Sequence, residues 1–313
     1  MRRLVPWLSL VILLSAALPA ADWDSAKHTP HTLPDAKQVV PYLLDISVTL
    51  RAGGSEGSGV SFNRDGVSFI WSAGHVVDGL RRQREVVDGK TGTTRTVIEF
   101  QPATVVQTLI EDGRKVGTIE MEAEVVRYSG IEHGEDLALL KVRKKNFMTT
   151  SAVFYQDKEL PAMGTRLYHV GSLLGNFGAN SLTDGIMSQH GRVINNKEFD
   201  QTTVVAFPGS SGAGVYLQDG RYIGMLVRGA TGGFNLIVPM RRMRAWAKQA
   251  NVEWALDPKV PLPTAEEFKK LPVEDSGTSF DTSKASHSPR ERAKQLGLLI
   301  QLTAPVTSPL DAP

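Results

Sequence analysis

Short apolar stretches separated by glycine-containing turns fill most of the chain between residues 43 and 240, among them "LLDISVTL" (residues 43–50) and "TTVVAF" (residues 202–207). The Asp-Gly pairs Asp112-Gly113 and Asp219-Gly220 lie between such stretches, where this dipeptide favours a tight hairpin turn. Long amphipathic helices do not alternate with the stretches, which argues against a parallel α/β sheet. The pattern therefore predicts an all-β barrel or sandwich.

One helix is predicted at the end of this region, in "PMRRMRAWAKQA", because Met240, Met243 and Trp246 recur at helical spacing. Prolines become frequent beyond it, so we expect residues 251–313 to form a largely flexible tail with short helices. Two helix starts are recognisable in this tail: a capping box at Thr264 and Glu267, and the Ser288-Pro289 pair.

The first twenty residues have the pattern of an export signal. Two arginines precede an apolar run from Leu4 to Leu14, and small residues follow it. We therefore predict a signal peptide over residues 1–20 and an exported protein, periplasmic or secreted. Leu18 departs from the usual small-residue cleavage pattern, so the alternative is a membrane anchor formed by residues 4–20.

Charge and cysteine content exclude several classes of function. The net charge is +2, from 35 basic and 33 acidic residues, which gives no reason to expect a nucleic-acid partner. The chain has no cysteine, so disulfides, thiol catalysis and Cys-ligated metals are excluded. The seven histidines have no metal-ligand spacing with carboxylates or each other, and we expect no metal and no cofactor.

Three short motifs could supply the groups that catalysis by a serine nucleophile requires. Such chemistry needs a base, a group that orients the base, and donors for an oxyanion. His75 in "SAGHVVDG" is the candidate base, and Asp136 in "GEDLALLKV" is the candidate orienting group. The nucleophile candidates are Ser210 and Ser211 in "FPGSSGAGV".

Each motif also has an ordinary structural interpretation. A single histidine is usually a surface or core residue, an aspartate before an apolar run is often a turn residue, and Gly-Ser-Ser-Gly can be a plain loop. The order His, Asp, Ser favours catalysis, because it is the order of the chymotrypsin arrangement. The G-x-S-x-G elbow of α/β-hydrolases does not fit, because the fifth residue from Gly209 is Ala213.

The flanking glycines favour Ser211 over Ser210. Gly209 allows its own N–H to turn inward beside the N–H of Ser211, which would form an anion-binding pair of amides. Gly212 then allows the chain to leave the turn without a side chain in the cleft. We therefore predict Ser211 as the nucleophile, with the N–H groups of Gly209 and Ser211 as the oxyanion hole.

The motifs resemble those of trypsin-like serine peptidases, especially the bacterial HtrA/Deg type. The resemblance lies in "GSGVSFNRDGVSFIWSAGHVVDG", "EDLALLKV", "HVGSLLGNFGANSLTDGIMSQHGRV" and "PGSSGAGVYLQDGRYIGMLV", and it runs from about residue 45 to 248. The chain departs from the family pattern in having Ser210 where Asn or Asp is usual, Ala213 for glycine and Leu173 for proline. The residues from Asp257 to 313 are few and rich in proline, so we expect no PDZ domain among them.

The resemblance implies a chymotrypsin-like fold of two six-stranded antiparallel β-barrels with the active site between them. It places His75 and Asp136 in the first barrel and Ser211 in the second. The resulting domain layout is a signal over 1–20, a lead-in over 21–42, a first barrel over 43–150, a second barrel with its closing helix over 151–250, and the tail over 251–313.

The resemblance also implies where a peptide would bind. It places the peptide backbone beside Val227, Arg228 and Gly229, and the primary side-chain pocket near Val205, Ala206 and Asn235. No acidic residue occurs at these positions, so a strict preference for Lys or Arg is not expected. Arg228 either attracts acidic side chains or has no role in specificity; the sequence leaves both open.

These observations together predict an exported serine endopeptidase that acts on protein or peptide substrates. A membrane contact is expected only if the N-terminal segment stays uncleaved. The alternatives are a non-catalytic peptide-binding module on the same fold and an esterase that uses the same triad.

Overall fold

The computed structural model describes residues 31–275 except 88, 90–91 and 231–232. The export signal predicted over residues 1–20 and the helix start predicted at Ser288 lie outside the described residues. In the described part no helix is long and apolar enough to cross a membrane.

Strands dominate the described part of the chain, and the predicted all-β class is confirmed. The strands are β1 (Ser47–Ala52), β2 (Ser55–Arg64), β3 (Val67–Ser72), β4 (Arg81–Val87), β5 (Thr94–Phe100), β6 (Ala103–Glu111), β7 (Arg114–Ser129), β8 (Leu137–Val142), β9 (Arg166–Leu173), β10 (Gly178–Ile194), β11 (Lys197–Thr202), β12 (Gly214–Leu217), β13 (Tyr222–Ala230) and β14 (Phe234–Pro239).

Twelve of these strands close into two antiparallel barrels of six strands each. The first barrel has the order β1-β2-β3-β8-β7-β6 and the second the order β10-β11-β14-β13-β12-β9. Strands β4 and β5 form a separate two-stranded ribbon outside the first barrel. The predicted turn at Asp112-Gly113 joins β6 to β7, and both residues have the positive φ that such a hairpin requires.

Four α-helices accompany the barrels within the described ranges. They are α1 (Val39–Asp45), α2 (Gly74–Val77), α3 (Met240–Gln249) and α4 (Ala265–Lys270). Helix α3 was predicted from its apolar spacing, and Met240, Met243 and Trp246 are indeed buried. Trp246 meets Trp71 of the first barrel edge to face, with ring centroids 5.9 Å apart. The helix that follows the second barrel therefore packs on the first.

Two segments that read as strands adopt other structures. Helix α1 replaces the start of "LLDISVTL", because Tyr42, Leu43 and Ile46 are all fully buried, at spacings that fit one face of a helix rather than alternation along a strand. In "TTVVAF" the ladder ends at Thr202. Beyond it, the carbonyl of Val204 accepts a hydrogen bond from a side chain instead of from a neighbouring strand.

The beginning of the C-terminal tail packs against the first barrel. Thr264 and Glu267 form the predicted capping box at the start of α4. Further on, residues 273–275 lie beside the end of β7, where the N–H of Tyr128 donates to Val273 O and the N–H of Asp275 donates to Tyr128 O. Apolar side chains and free β-edge groups on the barrel explain why this part of a proline-rich tail has a fixed position.

Candidate active site

Strand β3 carries His75 to the edge of the first barrel. The strand ends at Ser72, and the chain turns into the short helix α2 at Gly74. A side chain at Gly74 would not fit, because its Cβ would lie 2.4 Å from the carbonyl oxygen of Ser129. This close approach brings His75 beside the loop between β7 and β8, where Asp136 lies.

His75 and Asp136 form a hydrogen-bonded pair. Nδ1 of His75 lies 3.0 Å from each carboxylate oxygen of Asp136, and the backbone N–H of His75 donates to Oδ1 at 2.9 Å. The Asp136 side chain is buried, whereas the His75 side chain is 27% exposed. Because the carboxylate holds Nδ1, the opposite ring nitrogen Nε2 is available to a second partner.

The backbone at Asp136 is strained. Its φ is +58°, in the left-handed region that residues with a side chain adopt uncommonly. Its N–H donates to the carbonyl of Gly130 at 3.3 Å, across the loop that precedes it. Such conformations persist where the surrounding structure enforces them, often at functional sites.

The pair shifts both pKa values toward the ionised state. Burial alone would lower the pKa of His75, but the charge and hydrogen bond of Asp136 outweigh burial, and the pKa of His75 is raised. Burial alone would raise the pKa of Asp136, but the charge and hydrogen bonds of His75 outweigh it, and that pKa is lowered. Asp136 is therefore a carboxylate at neutral pH.

The turn before β12 depends on two glycines. Gly209 has a φ of +94°, and a Cβ there would lie 2.2 Å from Ser172 O. Gly212 has a φ of +88°, and a Cβ there would lie 2.2 Å from Ser58 O. Both positions need glycine for conformation and for space, because the turn packs directly against the first barrel and against β9.

The two serines of this turn have different surroundings. Ser210 is fully buried, its hydroxyl accepts a hydrogen bond from the N–H of Phe207 at 3.2 Å, and its own N–H donates to Phe207 O. Ser211 is only partly buried, and its hydroxyl has no hydrogen-bond partner among the described residues. Ser210 therefore closes the turn, and Ser211 is the serine left accessible.

Backbone contacts bring Ser211 to the histidine side of the first barrel. Its carbonyl accepts a hydrogen bond of 2.8 Å from the N–H of Ser58 on β2. The neighbouring Gly57 lies between Ser211 and Val76, since a Cβ there would be 3.1 Å from Ser211 O and 2.6 Å from the Val76 side chain. No hydrogen bond joins the hydroxyl to His75 in this structure; catalytic hydrogen bonds often tighten only with substrate.

Two amides of the turn have no acceptor among the described residues, the N–H groups of Gly209 and Ser211. The N–H of Leu174 donates to Pro208 O at 2.7 Å. Because a trans peptide unit points its N–H and its C=O in opposite directions, the N–H of Gly209 is turned away from Leu174. The oxyanion hole predicted at Gly209 and Ser211 therefore consists of two amides without an acceptor in the described part of the chain.

Asn235 connects the residues predicted to line the primary pocket. Its amide Nδ2 donates to Val204 O at 2.6 Å, next to the exposed Val205 and the partly buried Ala206. Asn235 also pairs across the ladder with Gly229 of β13. The buried asparagine thus holds the segment before the turn against the strand that follows it.

Strand β13 has an edge next to the turn. It pairs with β12 only as far as Met225, after which Leu226 exchanges hydrogen bonds with Gly212 and Ala213. Val227, Arg228 and Gly229 extend past this contact; Val227 is buried, whereas Arg228 is partly exposed and Gly229 exposed. Arg228 is held with its guanidinium 5.7 Å from the ring centroid of Phe199.

Comparison with known proteins identifies the family of the chain. A family model described as the trypsin-like peptidase domain matches residues 57–225, which is more than half of the chain. The chain belongs to the trypsin-like peptidase family. Among the described residues of this peptidase domain and its extensions, no cluster of His, Asp and Glu side chains could hold a metal ion.

One curated relative and two solved structures illustrate the similarity. Serine protease Do-like HtrA of Lactobacillus helveticus is 30% identical over 177 residues, which cover 55% of this chain and 35% of the relative. The chain therefore spans about a third of that relative's length. A crystal structure of Rv3671c from M. tuberculosis, an inactive mutant form, is 16% identical and has a TM-score of 0.49; it covers 75% of this chain and 99% of its own. A crystal structure of the serine endoprotease from Yersinia pestis is 19% identical and has a TM-score of 0.48. The match covers 73% of this chain and 70% of that protein's chain.

The sequence did not identify every residue that shapes the trypsin-like site. Ser58 lies in the "GSGV" stretch that carried the resemblance, yet its contacts with the turn depend on a neighbouring barrel and have no local signal. Glu135 and Arg242 are likewise far apart in sequence and meet only after folding.

Proposed function

We propose that the protein is an exported serine endopeptidase that cleaves peptide bonds through His75, Asp136 and Ser211. The observation that carries the proposal is the hydrogen-bonded His75–Asp136 pair at one edge of the first barrel, with the accessible Ser211 held against that edge by β2. Export rests on the N-terminal sequence alone.

In the proposed reaction, His75 Nε2 takes the proton of the Ser211 hydroxyl as Oγ attacks the substrate carbonyl. Asp136 keeps the proton on Nδ1 and stabilises the imidazolium that forms. The N–H groups of Gly209 and Ser211 donate to the oxyanion of the tetrahedral intermediate. His75 then gives its proton to the leaving amine, which leaves an acyl-enzyme on Ser211, and a water molecule repeats the sequence to release the acid.

The part of β13 that extends past its contacts with β12 and the turn supports the assignment of a peptide substrate. An extended peptide would add to this edge through main-chain hydrogen bonds beside Val227, Arg228 and Gly229. Its side chain before the scissile bond would enter the space bounded by Val205, Ala206 and Asn235. Because none of these six residues is acidic, we propose that a Lys or Arg side chain is not preferred at that position.

The test is to label the purified full chain with a fluorophosphonate and to map the adduct. We expect the adduct on Ser211, with no labelling of Ser211→Ala and strongly slowed labelling of His75→Ala. Ser210→Ala is the matched control and should still be labelled on Ser211. Casein hydrolysis by the wild type separates a peptidase from an esterase. A folded wild-type chain that neither reacts nor cleaves casein would support a non-catalytic binding module instead.

A further inference from the structure

Ser58 makes four hydrogen bonds at and beside the turn that carries Ser211, and it is almost fully buried. Its N–H donates to Ser211 O at 2.8 Å, and its hydroxyl donates to Gly209 O at 2.7 Å. The same hydroxyl accepts from the N–H of Ser172 at 2.8 Å, and the Ser58 carbonyl accepts from the Ser72 hydroxyl at 2.7 Å. One residue of β2 thus contacts both residues of the proposed oxyanion hole.

The roles of the hydroxyl are fixed by its partners. Gly209 O can only accept, and the N–H of Ser172 can only donate. A group between them must therefore donate to one and accept from the other, which a hydroxyl can do and a methyl group cannot. Removing the hydroxyl would leave the partly buried carbonyl of Gly209 and the buried amide of Ser172 without these partners.

The orientation of Gly209 depends on such external contacts. Glycine itself has little preference between alternative backbone conformations, so the residue does not fix the direction of its own N–H. The peptide unit before Gly209 is held by the Leu174 N–H on Pro208 O, and the peptide unit after it is held by Ser58. The N–H of Gly209 belongs to the first of these peptide units, and the second unit lies between it and the peptide unit that carries the Ser211 N–H. Rotation of the second unit would therefore change how the two N–H groups are placed relative to each other.

We propose that Ser58 is a positioning residue for the oxyanion hole, acting through its hydroxyl on the Gly209 carbonyl. The proposal rests on the proposed peptidase function and adds a residue of the first barrel to a site built in the second. Thr49 of the first barrel extends the contact, since its Oγ1 lies 2.5 Å from the Ser172 hydroxyl. The oxyanion hole is therefore coupled to the docking of the two barrels.

The test compares Ser58→Ala, Ser58→Cys and the wild type in steady-state hydrolysis of a peptide ester. For Ser58→Ala we expect kcat to fall roughly 10- to 100-fold with KM changed less than about 3-fold, because the oxyanion donor acts mainly in the transition state. Ser58→Cys keeps a weaker donor, so its kcat should lie between that of Ser58→Ala and that of the wild type. Affinity for a peptide boronic acid, which forms a tetrahedral anion on serine, should fall by the same factor as kcat.

Ser61→Ala is the matched control. Ser61 lies on the same strand, is fully buried and has a hydroxyl without a hydrogen-bond partner in the described structure. The kcat of the Ser61→Ala variant and its affinity for the boronic acid should equal those of the wild type. Circular dichroism and urea unfolding of each variant separate a loss of fold from a loss of positioning.

Two outcomes would overturn the proposal for Ser58. One is an unchanged kcat in a folded Ser58→Ala. The other is a loss of kcat with no loss of boronic acid affinity, which would place the defect outside the oxyanion hole. Failure of the proposed function itself looks different, because a wild-type binding module would hydrolyse nothing and a wild-type esterase would hydrolyse the ester but not casein.

Discussion

Arg242 of helix α3 forms a buried ion pair with Glu135, the residue directly before Asp136. Their side chains are 2% and 4% exposed. The guanidinium also donates to Glu135 O at 3.0 Å and to Glu198 O at 3.1 Å, and it lies 4.6 Å from the ring centroid of Phe199. The helix after the second barrel thus holds the loop that carries the catalytic aspartate candidate.

Replacing Arg242 with methionine should strongly destabilise the protein. It leaves the Glu135 carboxylate buried without its partner, and removing one member of such a pair typically costs about 3–5 kcal/mol. The double variant Glu135→Leu/Arg242→Met should lose less, because no buried charge remains. Urea unfolding measures both, with the exposed Arg84 replaced by alanine as a control that should unfold like the wild type. Equal losses in the single and the double variant would contradict this account.

The pH dependence of hydrolysis should report on His75. Only the neutral imidazole can take the proton of Ser211. Burial lowers the pKa of His75, but the charge and hydrogen bond of Asp136 raise it by more, so the pKa lies above 6.5. We therefore expect kcat/KM to rise with pH through a midpoint above 6.5. Asp136→Asn should lower that midpoint and reduce kcat by roughly 10³- to 10⁴-fold, as the orienting carboxylate is lost. A midpoint that does not move in Asp136→Asn would show that the pair does not set the profile.

His190 should stabilise the fold in its charged form. Nδ1 lies 2.8 Å from the Asp200 carboxylate and Nε2 lies 2.7 Å from Pro161 O, so both ring nitrogens face acceptors. The hydrogen bond to Asp200 is the main cause that raises the pKa of His190, against burial and the nearby charge of Arg241. Because the pKa of His190 is higher in the folded state than the 6.5 of the unfolded state, protonation of His190 stabilises the fold. This contribution is complete below pH 6.5 and is lost as the pH rises through the folded-state pKa.

The measurement is urea unfolding of the wild type and His190→Gln at several pH values from 5 to 9. The difference in unfolding free energy between them should be largest at the acid end and shrink as the pH rises. His133→Gln, which changes an exposed histidine, should follow the wild type at every pH. A difference that grows with pH would reverse the assigned sign.

Phe268 should anchor the start of the C-terminal tail to the first barrel. Its ring centroid lies 5.7 Å from that of Trp254 and 6.2 Å from that of Phe69. Because Phe268 is partly buried, Phe268→Ala should cost about 1–3 kcal/mol, somewhat less than a fully buried phenylalanine. Urea unfolding gives the loss, and tryptophan fluorescence reports the change at Trp254. Lys269→Ala, at the exposed neighbouring position, is the control; an equal effect of the two would refute the anchoring role.

The sequence predicted the parts of the fold that depend on local pattern. Glycine turns, alternating stretches and the spacing of Met240, Met243 and Trp246 are properties of adjacent residues, and the hairpin at Asp112-Gly113 and helix α3 follow from them. The His75–Asp136 contact was expected from the resemblance, and the structure brings the two side chains together.

Features that depend on distant partners were not predictable. Strand β4 carries mostly charged residues and is a strand because it pairs with β5. Residues 203–207 read as a strand, but the side chain of Asn235 takes the carbonyl of Val204 that a ladder would need. Likewise, no local pattern marks Ser58, because its importance comes from the second barrel's turn.

Each end of the described chain packs on the barrel that is more distant from it in sequence. Tyr42, which precedes the first barrel, packs against Gly220 of the second, and its hydroxyl donates to Ser151 O. Conversely, residues 273–275, which follow the second barrel, pair with Tyr128 of the first. Unfolding of either barrel would release the end segment that packs on it, and that segment is joined in sequence to the other barrel. Heat should therefore unfold both in one cooperative transition, with equal calorimetric and van't Hoff enthalpies.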